Sequence, residues 1–202
     1  MRLDTYNSDP RVLVVVAHPS LHSASRVHKR WVTELEKHPD EFAVHDLYAT
    51  IPAAERGLVA LANTTTEAER ALVLKHERVV YQFPVYWYSA PALLRTWIDS
   101  VYGFGWAYGG ENAQPGEPGR ALAGKRFACA VSAGDIEQNY RAEGTVGFTM
   151  DEVIIPFRAT ANYVGSACNP HAFALYGTEQ DRLSDERLEQ SVSAYLDWLC
   201  AL

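Results

Sequence analysis

The stretch RVLVVVAHPSLHSASRVHKRW, residues 11–31, passes from a strand through a polar loop into a helix. Arg11–Ala17 is an almost unbroken aliphatic run, which is typical of a strand buried on both faces of a sheet. A His-Pro pair ends this run, and Ser25–Lys37 then places apolar residues at helical spacing. A buried strand that leads directly into a helix indicates an α/β fold.

Strand and helix signals alternate along the rest of the chain. Strands are predicted at Arg11–Ala17, Phe42–Leu47, Arg78–Phe83, Arg126–Ser132 and, more weakly, Cys168–Leu175. Helices are predicted at Ser25–Lys37, Glu67–Glu77, Pro91–Tyr102, Phe148–Tyr163, which Pro156 kinks or divides, and Ser184–Leu199. This alternation predicts a doubly wound parallel sheet with helices on both faces. We expect a single domain over residues 1–202, in which residues 1–10 form a flexible N-terminal extension.

The composition is that of a globular protein, with 48% hydrophobic and 21% charged residues among 202. No apolar run approaches the roughly 18 residues of a membrane helix, and the polar N-terminus lacks a signal-peptide core, so we expect a cytoplasmic protein. A net charge of −7 argues against a broad nucleic-acid surface. The three cysteines are interpreted as free thiols, and the histidines lack the HExxH spacing, so we expect no metal site.

The loop after the first predicted strand has the properties of an anion site. It leads into a helix N-terminus, where unpaired N–H groups and a partial positive charge favour phosphate. Ser23 and Ser25 are candidate caps of this helix, and His18, Arg26 and His28 add possible donors. The alternative is an ordinary capped helix behind a solvated loop. No GxGxxG or Walker pattern follows the strand, so neither a dinucleotide fingerprint nor a P-loop is predicted.

Two further loops follow predicted strands at the same sheet edge, where doubly wound folds bind ligands. FPVYWYSAP, residues 83–91, offers aromatic side chains as a wall for a planar ring, unless they cap the core. SAGDIEQNY, residues 132–140, begins with small residues that allow close approach of a ligand. Tyr140 could donate to a developing oxyanion or be structural, and Asp135 could cap a helix or lie on the surface. Together the three loops fit a phosphorylated planar cofactor, most economically flavin mononucleotide (FMN).

Four motifs carry a resemblance to a known family: AHPSLHSASRVHKRW, QFPVYWYSAPALLRTWIDSVYGFGWAYG, LAGKRFACAVSAGD and PFRATANYVG. They resemble the flavodoxin-like NAD(P)H:quinone oxidoreductases, which include mammalian DT-diaphorases and bacterial ancillary subunits of glutathione-gated potassium efflux systems. The resemblance implies a five-stranded sheet in the order 2-1-3-4-5. It also implies a homodimer with FMN or FAD near the subunit interface, and the short chain favours FMN over FAD.

The resemblance assigns site residues by position. Those matching the flavin-phosphate loop are His18, Ser25, Arg26, Val27 and His28. Those matching the loop along the isoalloxazine ring are Val85, Tyr86, Trp87 and Tyr88, and Trp106 matches an aromatic residue that lines the pocket. Those matching the loop at the polar edge of the ring are Ser132, Ala133, Gly134 and Asp135. Catalytic roles are expected for Tyr140, which matches a tyrosine that stabilises the reduced flavin, and for the Gly134 amide.

Three features of the sequence depart from the family pattern. Ser132-Ala133-Gly134-Asp135 replaces Thr-Thr-Gly-Gly, His28 replaces an asparagine, and Val146 replaces the histidine that partners the tyrosine in the mammalian enzymes. A carboxylate at Asp135 would disfavour an anionic reduced flavin by Coulomb repulsion. The flavin site is expected to persist, and the choice of acceptor is the property that these changes affect.

The implied reaction is ping-pong: NAD(P)H passes a hydride to the flavin, and a quinone or similar acceptor then takes two electrons. A flavin-binding regulatory subunit of a potassium efflux system is an alternative, and it would co-purify with a membrane partner and turn over poorly. An FMN electron carrier is another alternative, and it would hold a stable one-electron reduced state. A hydrolase is disfavoured because no GxSxG motif is present.

Overall fold

The computed structural model describes residues 9–179 and 182–202. The predicted N-terminal extension therefore lies outside the described residues, except for Asp9 and Pro10, which begin the first strand. Within these ranges no helix is both long and apolar enough to span a membrane. The same ranges hold no cluster of three histidine, cysteine or acidic side chains that could bind a metal ion.

Strands and helices alternate as predicted. The strands are β1 (Asp9–Val16), β2 (Phe42–Asp46), β3 (His76–Pro84), β4 (Arg126–Ser132), β5 (Ala167–Cys168) and β6 (Phe173–Leu175). The helices are α1 (Val27–Leu35), α2 (Leu47–Thr50), α3 (Asn63–Lys75), α4 (Ala92–Val101), α5 (Met150–Val153), α6 (Ile155–Tyr163) and α7 (Asp185–Cys200).

The sheet is parallel and has the order β2-β1-β3-β4-β5, with β6 also paired to β4. This confirms the predicted fold class and strand order. The continuous fifth strand predicted over Cys168–Leu175 is wrong, because β5 pairs with Arg126–Phe127 and β6 with Ala130–Ser132. Pro170 lies in the interruption, and proline has no N–H to donate to a sheet.

Each face of the sheet has its own hydrophobic core, as β1 shows. Val12, Val14 and Val16 pack in the core that includes α1 and α7, whereas Leu13 and Val15 pack in the core that includes α3, α4 and α6. Successive strand residues point to opposite faces, so a strand buried on both sides is aliphatic throughout. The aliphatic run at the start of the chain is therefore explained by helices on both faces.

The boundaries of the helices differ from the predictions at three places. The predicted helix Phe148–Tyr163 is divided into α5 and α6, with Pro156 in the first turn of α6, as its position indicated. The predicted helix Glu67–Glu77 instead begins at Asn63 and ends at Lys75. Asp46 ends β2 and caps α2 by accepting the N–H groups of the next turn, which removes Leu47 from the predicted strand.

Candidate functional site at the carboxyl edge of the sheet

Three loops meet at the carboxyl edge of β1, β3 and β4. The N–H of Ala17, after β1, donates to the carbonyl of Gln82 in β3 at 2.9 Å. The N–H of Val85, after β3, donates to the carbonyl of Ser132 in β4 at 2.8 Å. These two bonds hold the three predicted ligand loops next to one another.

The loop between β1 and α1 winds round one carbonyl group. The carbonyl of Ser20 accepts the N–H groups of Ser23, Ala24 and Ser25 at 3.0–3.3 Å. Ser25, rather than Ser23, acts as the cap, because its Oγ accepts the N–H of His28 at 3.2 Å. This loop therefore delivers the chain to the start of α1 in a fixed conformation.

The first turn of α1 offers two main-chain donors to an anion. Among residues 9–179 and 182–202, no acceptor faces the N–H groups of Arg26 and Val27. The guanidinium of Arg26 donates to the carbonyl of Leu183 and to the carboxylate of Asp185, at the start of α7. A phosphate at this turn would therefore be bound by backbone N–H groups and the helix dipole, and the Arg26 side chain is occupied elsewhere.

His18 follows β1 and has a defined tautomer when neutral. Its Nδ1 accepts the N–H of Ser20 at 3.1 Å, which leaves Nε2 as the donor of the ring. Partial burial lowers the pKa of His18, whereas a hydrogen bond to its own backbone and the carboxylate of Asp46 act in the opposite direction. His18 thus supplies the phosphate loop with a neutral N–H donor above its lowered pKa.

The side chain of His28 is directed to the sheet. It is 1% exposed, and its Nε2 lies 2.8 Å from Oγ of Ser132, the last residue of β4. Its Nδ1 is buried and has no hydrogen-bond partner in the part of the chain that the structure describes. Burial and the neighbouring His18 hold the pKa of His28 well below its usual range, so the ring is neutral.

The aromatic loop after β3 is a tight hairpin turn with left-handed backbone. Tyr86 and Ser89 exchange two main-chain hydrogen bonds, at 2.9 and 3.1 Å. Between them Trp87 has φ +47° and Tyr88 has φ +60°, as in a type I′ turn, which usually contains Asn or Gly. Trp87 is 92% exposed. Strained backbone that presents bulky rings to solvent is a feature of ligand sites.

The loop after β4 is anchored by the segment after β6. The N–H of Ala133 donates to the carbonyl of Leu175 at 2.9 Å, so this amide is not available to a ligand. The carbonyl of Ala133 accepts the hydroxyl and the N–H of Thr178 at 3.0 and 3.1 Å. The N–H groups of Gly134 and Asp135 have no acceptor among the described residues, so these two amides are the donors that the loop offers.

The carboxylate of Asp135 is hydrogen-bonded within its own loop. Its carboxylate accepts the side-chain amide of Asn139 and the N–H of Ile136, both at 2.8 Å, and these bonds lower its pKa. One Nη atom of Arg182 lies 3.8 Å from this carboxylate and 3.8 Å from that of Glu179. Asp135 therefore stabilises its own turn and does not cap the short 3₁₀ helix Glu137–Asn139, which has Ile136 as its N-cap, and a guanidinium moderates its charge.

Tyr140 and Tyr88 come together at this edge. Their ring centroids are 6.4 Å apart with edge-to-face geometry, and Tyr176 packs 5.2 Å from the other side of Tyr140. Tyr140 is 8% exposed, and burial raises its pKa above that of free tyrosine. Its hydroxyl is therefore protonated at neutral pH and can donate a hydrogen bond.

A largely apolar cavity adjoins this tyrosine pair. It has a volume of about 540 Å³, and its lining includes Tyr88, Val146, Phe148 and Ile155. Val146 contributes only apolar surface at the position where the resemblance places a histidine. A cavity of this size and chemistry accommodates a flat aromatic molecule.

Trp106 is the predicted site residue that lies apart from the others in this chain. It follows α4, which starts at the carboxyl edge and extends about 15 Å over its ten residues toward the opposite edge. Its ring stacks on Tyr102 at 6.4 Å, and the guanidinium of Arg70 lies 5.2 Å above it. The same loop makes a close backbone contact between Gly110 and Gly119, where a Cβ on Gly119 would lie 2.5 Å from Gly110 Cα.

Sequence interpretation missed the segment after β6. Thr178, Glu179 and Arg182 contact the Ala133–Asp135 loop, although none was named as a site residue. The available signal was topological, because this segment follows a strand at the same carboxyl edge. The weakness of the fifth strand signal concealed it.

Comparison with known proteins identifies the family. A sequence profile described as having a flavodoxin-like fold matches residues 10–199. The chain belongs to this flavodoxin-like family. YrkL of Bacillus subtilis, an uncharacterized NAD(P)H oxidoreductase, is 41% identical over 191 residues, which cover 95% of this chain and 98% of YrkL. KefG of Serratia proteamaculans, an ancillary protein of a glutathione-regulated potassium-efflux system, is 33% identical and covers 94% of this chain and 93% of KefG.

Solved structures of flavodoxin-like relatives share the architecture over nearly the whole chain. General stress protein 14 of Treponema denticola, in complex with FMN, has 38% identity and a TM-score of 0.80, and covers 95% of this chain and 99% of its own. An NADPH-quinone reductase of P. pentosaceus has 28% identity and a TM-score of 0.75, and covers 94% of this chain and 97% of its own.

Proposed function

We propose that this chain is an FMN-dependent NAD(P)H oxidoreductase that delivers two electrons to a quinone or a similar aromatic acceptor. The observation that carries the proposal is the strained Trp87–Tyr88 turn, which presents aromatic rings at the same edge as unpaired main-chain donors. The FMN-bound relative and the oxidoreductase names of other relatives support the same assignment.

The donor set at this edge fits FMN. The N–H groups of Arg26 and Val27 would hold the phosphate, with His18 as an additional donor. The Trp87–Tyr88 turn would cover a face of the ring. The N–H groups of Gly134 and Asp135 would bind its polar edge. The unpaired, buried Nδ1 of His28 next to this edge supports the same assignment, because buried polar atoms are normally hydrogen-bonded.

The chemistry that bound FMN would supply is hydride acceptance from NAD(P)H and two-electron transfer to the acceptor. The Gly134 amide and the Tyr140 hydroxyl would donate hydrogen bonds where negative charge develops, and the raised pKa of Tyr140 keeps its proton in place. The cavity beside Tyr88, with a volume of about 540 Å³ and a largely apolar lining, would admit one flat ring at a time. The nicotinamide and the acceptor would therefore use this space in turn, which gives ping-pong kinetics.

Trp106 joins the site if the protein is a homodimer. Phe148 before α5 and Ile155 at the start of α6 are exposed near the cavity, and Tyr163 at the end of α6 is exposed near the Trp106 loop, where Phe104 is also exposed. A second copy related by a two-fold axis would cover this surface and bring its Trp106 loop toward the cavity of the first. A cytoplasmic location, as expected from the sequence, fits a donor such as NAD(P)H.

The test is anaerobic reduction followed by steady-state kinetics. The purified protein, saturated with FMN, is expected to lose its visible flavin absorbance with one equivalent of NADPH or NADH and to regain it with one equivalent of a soluble benzoquinone. Parallel double-reciprocal plots are expected. A protein that binds neither FMN nor FAD, or that binds flavin and is not reduced by either nicotinamide, would contradict the proposal.

The similarity to KefG favours a second candidate, a flavin-binding ancillary subunit of a potassium efflux system. Association with a membrane transporter would then be the main role, and turnover would be slow. Reconstitution with an efflux transporter from the same genome distinguishes the two candidates. Potassium flux that depends on the protein supports the second candidate, and rapid quinone turnover without any effect on flux supports the first.

A further inference from the structure

His28 and Ser132 form a buried polar pair that joins two ligand loops. His28 is in the first turn of α1, beside the phosphate loop, and Ser132 ends β4, where the polar-edge loop begins. The Nε2–Oγ distance is 2.8 Å, and the two residues are 1% and 6% exposed. Water therefore does not compete with this hydrogen bond, and which of the two residues donates it determines where the Ser132 hydroxyl proton points.

The surrounding polar groups of the described residues make no hydrogen bond to Nδ1, the second ring nitrogen of His28. The Gln82 side chain donates its amide to the carbonyl of His28 at 3.4 Å and accepts the hydroxyl of Tyr195 at 2.9 Å. The ring of His18 lies 5.4 Å from that of His28, and its Nδ1 is occupied by Ser20. Among the described residues no group pairs with Nδ1 of His28.

A neutral ring has one proton, so two arrangements are possible. If Nδ1 carries the proton, its buried N–H has no acceptor, and the Ser132 hydroxyl must donate its proton to Nε2. If Nε2 carries the proton, it donates to Ser132 Oγ, and the group without a partner is the lone pair of Nδ1, which is a hydrogen-bond acceptor. Orphaned buried N–H groups are rarer than under-used acceptors, which favours the second arrangement.

We propose that His28 is a positioning residue: its Nε2–H donates to Ser132 Oγ and thereby directs the serine O–H toward an acceptor atom of the ligand at the carboxyl edge. This inference rests on the proposed function for the identity of the ligand, FMN. It also explains how two departures from the family pattern act together, because the substituted histidine contacts the substituted serine.

The tautomer of His28 tests the inference without flavin. Long-range ¹H–¹⁵N NMR of the full chain with ¹⁵N-labelled histidine is expected to show His28 neutral and protonated at Nε2 at neutral pH. In Ser132→Ala the acceptor is lost, and a mixture of both tautomers is expected. A wild-type ring protonated at Nδ1, or doubly protonated, would overturn the inference.

Binding of FMN, followed by fluorescence quenching, tests the effect on the ligand. His28→Gln keeps an amide donor near the Nε2 position, whereas His28→Asn places its amide near Nδ1. Loss of one buried hydrogen bond predicts about tenfold weaker binding for His28→Asn and Ser132→Ala, and affinity within about threefold of wild type for His28→Gln. His38→Asn, beyond the far end of α1, is the matched control and is expected to bind FMN as the wild type does.

The double variant shows whether the two residues act as a unit. His28→Asn combined with Ser132→Ala is expected to bind FMN about tenfold more weakly than wild type, and additive effects would give about a hundredfold. Additivity, or unchanged affinity in both single variants, would overturn the inference. If the wild type bound no flavin, the proposed function would fail, and the NMR result would still decide the bond. If His28→Asn did not fold, Ser132→Ala and the NMR spectra would decide it.

Discussion

Replacing Trp87 by glycine should stabilise the flavin-free protein and weaken FMN binding at the same time. Trp87 has φ +47° and is 92% exposed, so its ring contributes little packing while its backbone lies in the left-handed region. Glycine adopts that region without steric cost, whereas residues with a Cβ do not.

The magnitude follows from two opposing terms. Left-handed backbone costs about 1–2 kcal/mol for a residue with a side chain, and glycine loses about 0.5–1 kcal/mol through its greater freedom in the unfolded chain. The middle of each range gives a net gain of about 0.75 kcal/mol, which raises Tm by about 1.5–3 °C for a domain of this size. Loss of a ring that stacks on the isoalloxazine costs about 1.5–3 kcal/mol of binding, which corresponds to about 10–100-fold weaker affinity.

Trp87→Ala provides the matched control, because it removes the ring and keeps the backbone strain. Thermal unfolding without flavin should place Trp87→Gly above both the wild type and Trp87→Ala, and FMN titration should show both variants equally weakened. Equal Tm values for the glycine and alanine variants would refute the assigned strain. Unchanged FMN affinity would refute the role of the ring.

Three further predictions concern the core, the site and pH. Glu69→Ala should lower the free energy of unfolding by about 2–4 kcal/mol in urea denaturation, because the buried carboxylate accepts hydrogen bonds from both Trp97 Nε1 and His45 Nε2 at 2.7 Å. The control variant Glu67→Ala, on the exposed side of the same helix, should change the free energy of unfolding by less than about 0.5 kcal/mol. Equal losses of stability in the two variants would contradict this prediction. Tyr140→Phe should slow anaerobic flavin reduction by NADPH about tenfold in stopped-flow experiments and leave FMN affinity unchanged. In the control variant Tyr176→Phe the flavin should be reduced by NADPH at the wild-type rate. Equal rates of reduction in the two variants would exclude the hydroxyl of Tyr140 as a donor. Because burial lowers the pKa of His28, the unfolded chain binds a proton below about pH 6.5 that the folded state excludes. The free energy of unfolding of the wild type should therefore fall by up to about 1.4 kcal/mol more per pH unit below this pH than that of His28→Gln. Parallel curves of stability against pH for the two proteins would contradict this prediction.

The fold was predictable because its signals are local and periodic. The aliphatic run at the start of β1 shows burial on both faces, and β4 has the predicted bounds. The fifth strand was predicted with the wrong continuity, because the sequence does not show that two separated segments pair with one neighbour. Boundaries such as the end of β2 depend on which side chain caps the next turn.

The candidate site was predictable as a set of loops, and less so as a set of side-chain roles. Residue types at the carboxyl edge indicated phosphate, ring and polar-edge loops, and the geometry brings Tyr88 to Tyr140 and His28 to Ser132. Side-chain direction is not encoded locally: Arg26 turns to α7, and the amide of Ala133 is used by Leu175. The role proposed for Trp106 would require a second copy of the chain, whose contacts no single sequence displays.

A crystal structure of the protein loaded with FMN tests most directly whether the ring lies between the start of α1 and the Trp87–Tyr88 turn. The phosphate is expected within hydrogen-bond distance of the N–H groups of Arg26 and Val27, the ring against the turn, and its polar edge at the N–H of Gly134. FMN bound at any other place on the chain, or a carboxyl edge closed by the protein's own side chains, would contradict the assignment.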